Sequence, residues 1–524
     1  KACATSTDHT QLCDLHCAIS SASRGGMSEH VIVIGSGFGG LASALRARKM
    51  GFDVTVIERL DQLGGRAQTF ERDGFVFDAG PTVITAPFLF NELFELFDRK
   101  IEDYVEILPV TPWYRYEFND GTHLNYGGSV DDTLREIERI NPADVDGYKK
   151  LLAHSEKIFD VGFSQLAHVP FNKLWFMLKQ VPALIRLGCY RTVWQFTKRY
   201  LKDDRLRRAF SIQPLLVGGN PFSTTSIYSL IHYLERRWGV HFPRGGTGAL
   251  VQALGKLMVE QGIDIKLNQS VAQIQIEQGQ ATGVVLADGS TLKADKVICN
   301  GDPAYTYKNL IDSVHRKTWT DRRIDGLKYS MGLYVLYFGT DRKYDDVEHH
   351  TIIFGDTYQE LLQRIFDGGE VGDDLSLYLH RPTATDPALA PEGKDAFYVL
   401  APVPNLKRDD WEDVKAQVKE RVLDILEDRV LPNLREHLEV CFDFDPTDFA
   451  QQYQSQWGAG FSIAPIFTQS AFFRFHNRAE DFENLYFVGA GTHPGAGVPG
   501  VISSAKVIEE LLYQDCPKLT PAMS

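Results

Sequence analysis

The hydrophobic and polar positions at the start of the chain form a strand–helix–strand pattern. Residues 31–34 are four β-branched residues in a row, which is typical of a buried strand in a parallel sheet. Residues 41–50 have the composition and spacing of a helix, and residues 53–57 form a second apolar run. The pattern therefore predicts an α/β fold with a parallel sheet at this end of the chain.

The rest of the chain separates into a helical stretch and two later groups of strands. Residues 143–235 are largely helical in pattern. Strands are predicted at 263–267, 271–276, 281–286, 296–299 and 485–488, the last of them followed by a helix. In a second region, 325–475, strands are predicted at 333–338, 351–354, 375–380 and 397–402, with an amphipathic helix at 411–430.

Glycines follow the first strand with the spacing G-x-G-x-x-G, at Gly35, Gly37 and Gly40. Between a strand and a helix this spacing indicates a dinucleotide site. Gly35 allows the tight turn, Gly37 lets the backbone approach a pyrophosphate, and Gly40 lets helix and strand pack closely. Phe38 and Gly39 complete the turn, and the helix N-terminus faces the anion. The alternative is a glycine-rich turn that binds no ligand.

An acidic residue and a second glycine turn follow the second strand. Glu58 lies 23 positions after Gly35 and can accept hydrogen bonds from ribose hydroxyls. Gly64, Gly65 and Arg66 offer backbone amides and a guanidinium near a phosphate. Taken alone, this second motif is equally consistent with a surface turn and a solvated Arg.

Two further turns complete the candidate site. Residues 75–85 form a predicted strand that runs into a turn at Gly80, Pro81 and Thr82, which can place backbone against a flat ring system or lie at a sheet edge. Near the C-terminus, a loop between a strand and a helix offers a second site for a phosphate or a ring. That loop holds Gly489, Gly491, Thr492, Pro499 and Gly500. Two such sites at opposite ends of the chain indicate a long cofactor such as FAD.

Composition narrows the class of protein. A chain of 524 residues and 59.0 kDa predicts two or more domains, and the net charge of −14 argues against nucleic-acid binding. The seven cysteines and the histidines show no metal-binding spacing, so no metal is assigned, and a reduced, cytoplasmic setting fits best. Because no run of 18 apolar residues occurs, no membrane-spanning helix is expected.

Residues 172–210 contain aromatic residues interleaved with basic residues. The segment holds ten Lys and Arg residues against two acids, Asp203 and Asp204, inside an acidic protein. A basic amphipathic segment with Trp and Phe suits the membrane interface. An ordinary amphipathic helix pair that covers a core is nearly as good an interpretation, and the charge bias favours the membrane surface.

Residues 27–512 resemble the bacterial-type phytoene desaturases, which are FAD-dependent flavoproteins of carotenoid formation. The motifs that carry the resemblance are FDAGPTVIT at 77–85, LLVGGNPF at 215–222, FPRGGTG at 242–248 and GAGTHPGAG at 489–497, followed by a Pro-Gly at 499–500. The N-terminal glycine motif with Glu58 is shared by a wider flavin superfamily that includes amine oxidases.

The resemblance implies positions for the cofactor. FAD would lie along the first glycine turn, with Glu58 at the ribose and Arg66 near the phosphates. Val271 would contact adenine through its backbone. Gly80 to Thr82, together with the C-terminal loop as far as Val501, would frame the isoalloxazine ring.

The resemblance also implies a reaction and partners. The substrates would be 15-cis-phytoene and partly desaturated carotenes, drawn from a bilayer by a peripheral protein at the cytoplasmic membrane face, with lycopene or neurosporene as product. A hydride would pass to flavin N5, a proton would leave the neighbouring carbon, and a quinone or oxygen would reoxidise the flavin. Because the cation formed is delocalised, no catalytic acid or base is assigned, and His493 is expected to have a structural or ring-orienting role.

Other functions stay open at this level. A C30 diapophytoene desaturase, a carotene isomerase or a ketolase would share these motifs. A non-catalytic flavin- or carotenoid-binding membrane protein and an amine oxidase are further alternatives, and the sequence predicts no oligomeric state.

The patterns and the resemblance together divide the chain into domains. We expect an FAD-binding domain of Rossmann type in three parts, 27–142, 236–324 and 476–512. It is interrupted by a helical membrane-associating region at 143–235 and an α+β substrate-binding domain at 325–475. Residues 1–26 are expected to be a disordered or non-native extension, with the natural start at Met27, and 513–524 to be a C-terminal tail.

Overall fold

The computed structural model describes residues 28–369, 371–408 and 411–516. The expectations for the extension 1–26, for a natural start at Met27 and for the tail beyond residue 516 lie outside the described residues.

Strands and helices are numbered in chain order. The strands are β1 (His30–Ile34), β2 (Asp53–Ile57), β3 (Thr69–Arg72), β4 (Phe75–Asp78), β5 (Ile107–Pro109), β6 (Tyr114–Glu117), β7 (His123–Tyr126), β8 (His241–Pro243), β9 (Asp264–Lys266), β10 (Val271–Glu277), β11 (Gln280–Leu286), β12 (Thr291–Lys293), β13 (Lys296–Cys299), β14 (Gly332–Thr340), β15 (His350–Ile353), β16 (Leu377–His380), β17 (Asp395–Val403), β18 (Leu438–Phe444) and β19 (Leu485–Phe487). The helices are α1 (Phe38–Lys49), α2 (Pro87–Glu95), α3 (Val130–Ile140), α4 (Val145–Phe159), α5 (Leu174–Arg186), α6 (Val193–Lys198), α7 (Asp204–Ala209), α8 (Leu230–Trp238), α9 (Gly246–Glu260), α10 (Pro303–Tyr305), α11 (Asp321–Asp325), α12 (Tyr358–Asp367), α13 (Trp411–Arg429), α14 (Pro446–Gln452) and α15 (Val498–Asp515).

The first sheet is entirely parallel, with the order β19-β13-β1-β2-β9. Both of its faces are buried, because Val31 and Val33 pack against α1, α9 and α15 while Ile32 and Ile34 pack against the layer that holds β10 and β11. Burial on both faces is why β1 is apolar at every position from 31 to 34. The strand–helix–strand prediction is confirmed, with α1 beginning at Phe38.

The second sheet is mixed, with the order β18-β14-β17-β16-β15-β6-β7. All of its neighbours pair antiparallel except β15 and β6, which are parallel. The predicted strands near 333, 351, 375 and 397 are confirmed as β14 to β17. Sequence patterns did not resolve β6 and β7, so the segment assigned to the FAD-binding domain, 27–142, also contributes strands to this second sheet.

Helices α4 to α7 lie in the stretch predicted to be helical, 143–235, and α8 begins in it and ends at Trp238. Helix α5 differs from its neighbours because none of its side chains is fully buried, although it is rich in Leu, Ile, Trp and Phe. Among the described residues, none of the helices has the length and apolar content needed to cross a bilayer.

Candidate functional site

A cavity of about 810 Å³ lies where the carboxyl ends of β1 and β2 face the second sheet. The carboxyl edge of a parallel sheet is where such folds place their ligands. One end of the cavity is built from glycine-rich turns, and the other from the apolar side chains of β14 to β17 and of α5. We call these ends the glycine half and the apolar half.

Most of the residues predicted for cofactor binding line this cavity. They are Gly35, Gly37, Phe38, Glu58, Gly64, Gly65, Arg66, Gly80, Pro81, Thr82, Val271, Gly489, Gly491, Pro499, Gly500 and Val501. Gly39, Gly40 and Thr492 lie behind the wall instead. These three pack directly behind the lining residues, and a contact of their backbone with a cofactor stays a prediction.

The first glycine turn is as tight as its sequence predicts. Gly35 has a φ of +87°, and a Cβ on Gly40 would lie 2.0 Å from the carbonyl oxygen of Gly35, so α1 sits directly on the turn. The opposite side of this turn is closed by Asn300, a residue outside the glycine motif. Asn300, at the end of β13, would lie 2.8 Å from a Cβ on Gly37 and 2.5 Å from one on Gly39. In the sequence, the feature that could have identified Asn300 is the Asn-Gly-Asp that follows the predicted buried strand at 296–299.

Glu58 is buried directly after β2, and its carboxylate connects the first glycine turn to the segment that follows β2. One carboxylate oxygen accepts hydrogen bonds from the Ser36 amide (2.8 Å) and hydroxyl (2.7 Å), and the other accepts from the Leu60 amide (2.9 Å). The Glu58 carbonyl accepts from the Gln269 amide at 2.9 Å, which brings Val271 to the same end of the cavity. The predicted ribose and adenine positions are therefore neighbours.

Arg66 projects into the glycine half from the second glycine turn. Its guanidinium donates to the Ser455 hydroxyl at 3.0 Å, and burial lowers its pKa, opposed by the charge of Asp302. At neutral pH it stays a cation, because even a lowered Arg pKa lies far above 7. A half-buried cation on a glycine turn suits a phosphate.

The turn at 80–82 is held by tyrosines of the second sheet. The Tyr398 hydroxyl donates to the carbonyl of Gly80 at 3.1 Å and lies 2.7 Å from the Thr82 hydroxyl, which is 3.1 Å from the Tyr378 hydroxyl. The Tyr337 hydroxyl donates to the Ala79 carbonyl at 2.8 Å. Sequence reasoning missed these tyrosines, because their strands carried no motif.

Hydrogen bonds from Thr492, Asn477 and His493 hold the C-terminal loop in place. The Thr492 hydroxyl donates to the Gly489 carbonyl at 3.0 Å, and the Asn477 amide donates to the Thr492 hydroxyl and the His493 carbonyl. His493 lies 2.9 Å through Nε2 from the carbonyl of Leu166, so it links the loop to the helical region. Burial lowers the pKa of His493 to about 4, so its ring is neutral at pH 7.

The apolar half is walled by side chains from distant parts of the chain. They include Met177, Val181 and Leu184 of α5, Leu333 and Val335 of β14, Ile352 of β15 and Leu400 of β17. Among the described residues that wall this half, the carboxyl group is that of Glu235, which accepts a hydrogen bond from the Tyr114 hydroxyl at 2.9 Å. Burial raises the pKa of Glu235 to about 8, so at pH 7 this group is mostly protonated and uncharged.

Comparison with known proteins agrees with this geometry. Residues 38–507 match the family model of the flavin containing amine oxidoreductases. The chain is 46% identical over 488 residues to a phytoene desaturase (lycopene-forming) of Pseudescherichia vulneris, which covers 92% of this chain and 99% of that protein. It is 43% identical over 497 residues to a phytoene desaturase (neurosporene-forming) of Cereibacter sphaeroides, covering 94% and 96%.

The chain belongs to the phytoene desaturases. It shares its fold with an oxidoreductase from Methanosarcina mazei, whose crystal structure aligns with a TM-score of 0.63 at 18% identity and covers 92% of this chain and 100% of that one. The resemblance inferred from the motifs is therefore confirmed.

Membership of this family makes a flavin, FAD, the cofactor of the desaturase. The residues present fit such a group. The glycine half offers a turn where a Cβ has no room, a buried carboxylate at Glu58, a half-buried cation at Arg66 and the turn at Gly80. In the wall beside Val271, Gln269 Oε1 is buried and finds no hydrogen-bond partner among the described residues, which leaves an acceptor for a ligand.

Proposed function

We propose that this chain desaturates 15-cis-phytoene with FAD as the hydride acceptor, forming lycopene or neurosporene, and that it exchanges substrate and product with a membrane surface. The observation that carries the proposal is the continuity of the cavity. A single cavity joins the glycine half, built for a dinucleotide, to an apolar half large enough for part of a hydrocarbon chain.

The reaction removes two hydrogens from a CH2–CH2 unit between double bonds. When bound, FAD supplies a hydride acceptor at flavin N5 and passes the two electrons on to an acceptor that we propose to be a quinone or oxygen. The protein holds a flexible polyene against the turn at 80–82, and its apolar side chains exclude water from the cation that forms. Positioning of this kind lowers the barrier without a strong acid or base.

The ionisation states of the side chains in the cavity wall support a mechanism without a strong acid or base. Glu235 is mostly protonated and His493 is neutral at pH 7, because burial disfavours the charged form of each. Tyr378 and Tyr398 keep their hydroxyl protons, since burial raises both of their pKa values. We therefore assign no side-chain base. The delocalised cation is itself a strong acid, so a weak base such as a peptide carbonyl oxygen of the cavity wall is sufficient to take its proton.

The membrane part of the proposal rests on α5. This helix lines the apolar half through Met177, Val181 and Leu184, while Trp175 is 68% and Leu178 is 51% exposed on its outer side. Exposed Phe473 belongs to a short turn that packs against α5, which enlarges the apolar surface at the cavity mouth. Such a surface next to the substrate cavity is where a bilayer-dissolved hydrocarbon would enter.

Charge around α5 favours the same partner. Residues 161–202 contain no Asp or Glu, although the whole chain has a net charge of −14. Lys173, Lys179 and Arg186 flank the exposed apolar side chains, with the Lys179 ammonium 5.5 Å from the ring of Trp175. A basic rim attracts anionic lipid head groups. We propose peripheral attachment at the cytoplasmic face of the membrane.

The activity is tested with purified protein, FAD and a quinone, given 15-cis-phytoene in liposomes and followed by chromatography with absorbance detection. New peaks that absorb visible light are expected, and their chromophore length counts the double bonds formed. Unchanged phytoene in a preparation that has bound FAD would overturn the proposal, and C30 diapophytoene would be the next substrate to try.

The membrane contact is tested by a double variant, Trp175→Glu with Leu178→Glu, against Val259→Glu with Val314→Glu as the matched control. Val259 and Val314 are 44% and 75% exposed and lie outside the cavity lining, so the control adds the same two negative charges at unrelated apolar positions. Sedimentation with anionic vesicles should fall at least about tenfold for the double variant and stay unchanged for the control. Equal sedimentation of the double variant and the wild type would contradict attachment through α5.

A further inference from the structure

Three histidines meet in the second sheet, at a place that no sequence motif marked. His349, His350 and His380 are all buried, and one ring nitrogen from each lies within 4.8 Å of the others. The sequence assigned no metal, because histidine spacing along the chain indicated none. The fold brings together residues that are 30 positions apart.

Strand pairing accounts for the meeting. His350 opens β15 and His380 ends β16, and the antiparallel register places them directly opposite each other. His349 precedes β15 and turns its ring to the same side, with its centroid 4.4 Å from that of His350 and 4.8 Å from that of His380. Directly opposed residues in a sheet have adjacent side chains.

Two ring nitrogens of the cluster lie beside hydroxyl groups, and the other four have no partner among the described residues. His349 Nδ1 lies 2.6 Å from the Thr385 hydroxyl, and His350 Nδ1 lies 2.7 Å from the Tyr378 hydroxyl. His349 Nε2, His350 Nε2 and both nitrogens of His380 are buried and have no hydrogen-bond partner among the described residues. Buried polar atoms without a partner are rare and destabilising. Four of them in one cluster point to a missing ligand.

We propose that His349, His350 and His380 bind a single transition-metal ion, represented by Zn²⁺. Imidazole nitrogen is the donor that such ions prefer in proteins. Atoms up to 4.8 Å apart lie at most about 2.8 Å from a common centre, so each nitrogen need move inward by no more than about 0.7 Å to reach the usual Zn–N distance of about 2.0–2.1 Å. Thr385 and Tyr378 orient the rings, as second partners of metal-bound histidines do.

The local charges are compatible with a cation. The nearby Arg381 guanidinium is already neutralised, because it forms an ion pair with the buried carboxylate of Asp395 at 2.9 Å.

The test measures the metal content of the FAD-loaded protein after equilibration with Zn²⁺ and gel filtration. About one ion per chain is expected in the wild type, and less than ~0.1 in His380→Gln, because removal of one of three ligands abolishes most of the affinity. His437→Gln is the matched control, since His437 lies at the surface beside Asp341 and should leave the metal content unchanged. A rise in the thermal midpoint with Zn²⁺ should occur in the wild type and the control alone.

A zinc-free wild type would overturn the proposal and would mean that water fills the cluster. Full retention of the ion by His380→Gln would place it elsewhere on the chain and would equally overturn it. If His380→Gln fails to fold, X-ray absorption by the wild type decides the matter, because three imidazole ligands around zinc are expected and cysteine sulfur in the coordination shell contradicts the proposal.

Discussion

The glycine half and the apolar half of the cavity are made from different parts of the polypeptide. In the glycine half the backbone forms the wall, and the side chains that matter, Glu58 and Arg66, sit directly after strands or turns of the same motif. In the apolar half the backbone is remote, and side chains from α5 and from the second sheet form the surface. The glycine half is therefore formed by the local conformation of short segments, whereas the apolar half forms only when distant parts of the chain pack together.

This difference has a functional consequence. A backbone wall tolerates few substitutions, since an added Cβ can collide with neighbouring backbone, as at Gly80, where it would lie 2.4 Å from the carbonyl oxygen of Arg66. A wall of Leu, Ile, Val and Met side chains accepts changes that conserve volume. FAD binding and substrate use should therefore be separable by mutation, and the following variants test that separation.

The largest effect is expected for Gly40→Val. Its Cβ would lie 2.0 Å from the Gly35 carbonyl oxygen, so α1 must move off the turn. Flavin absorbance in the purified protein should disappear and turnover should fall by more than about 100-fold. Gly326→Ala is the control, because its nearest neighbour is 3.3 Å away and it lies outside the cavity. Retention of the flavin by Gly40→Val would contradict the account of the first turn.

Leu400→Trp should affect the other half alone. Leu400 lines the apolar half on β17, and an indole there fills space that the polyene requires. We expect a drop in kcat/KM of about 30-fold with normal flavin absorbance, while Leu400→Met, which conserves volume, stays close to wild type. A parallel loss of flavin in Leu400→Trp would show that the two halves are coupled.

Thr82→Val tests the junction between the halves. The substitution removes the hydroxyl that lies 2.7 Å from Tyr398 and 3.1 Å from Tyr378, but each tyrosine keeps another partner, at Gly80 and at His350. A decrease in kcat of about threefold is expected, with a small shift of the flavin absorption maximum. An unchanged spectrum and rate would mean that the Thr82 hydroxyl does not hold the turn.

Glu235→Gln should have the smallest effect on activity. Because the pKa of Glu235 is raised to about 8, the carboxyl is already mostly protonated at pH 7, and turnover should stay within about twofold of wild type. A loss of turnover with FAD still bound would identify Glu235 as an acid–base catalyst and would refute the proposed mechanism.

The same variant has a pH signature in stability. The native state keeps the Glu235 proton up to about pH 8, while the unfolded state loses it near the ordinary pKa of glutamate. The wild-type free energy of unfolding should therefore fall between those pH values, by up to about 1.4 kcal/mol per pH unit from this group. Denaturant titrations across that range should show a shallower dependence in Glu235→Gln.

Sequence reasoning reached the glycine half in detail because its signals are local. Strand, turn and helix follow one another within residues 30–49, and the chemistry of glycine explains each position. It did not separate the residues that line the cavity from Gly39, Gly40 and Thr492, which lie behind the lining, since close packing and ligand contact both select small residues. Asn300 escaped notice, because its proximity to Gly37 follows from β13 lying next to β1 in the sheet.

By itself, the sequence determined that this protein has a parallel sheet with a dinucleotide turn and a second glycine loop suited to a flavin, because apolar runs and glycine spacing act over a few residues. Tertiary structure alone decided which side chains form the apolar half, how Tyr378 and Tyr398 hold the turn at 80–82, and that His350 faces His380. Those contacts join residues tens to hundreds of positions apart, and strand order and register, which no local pattern encodes, bring them together.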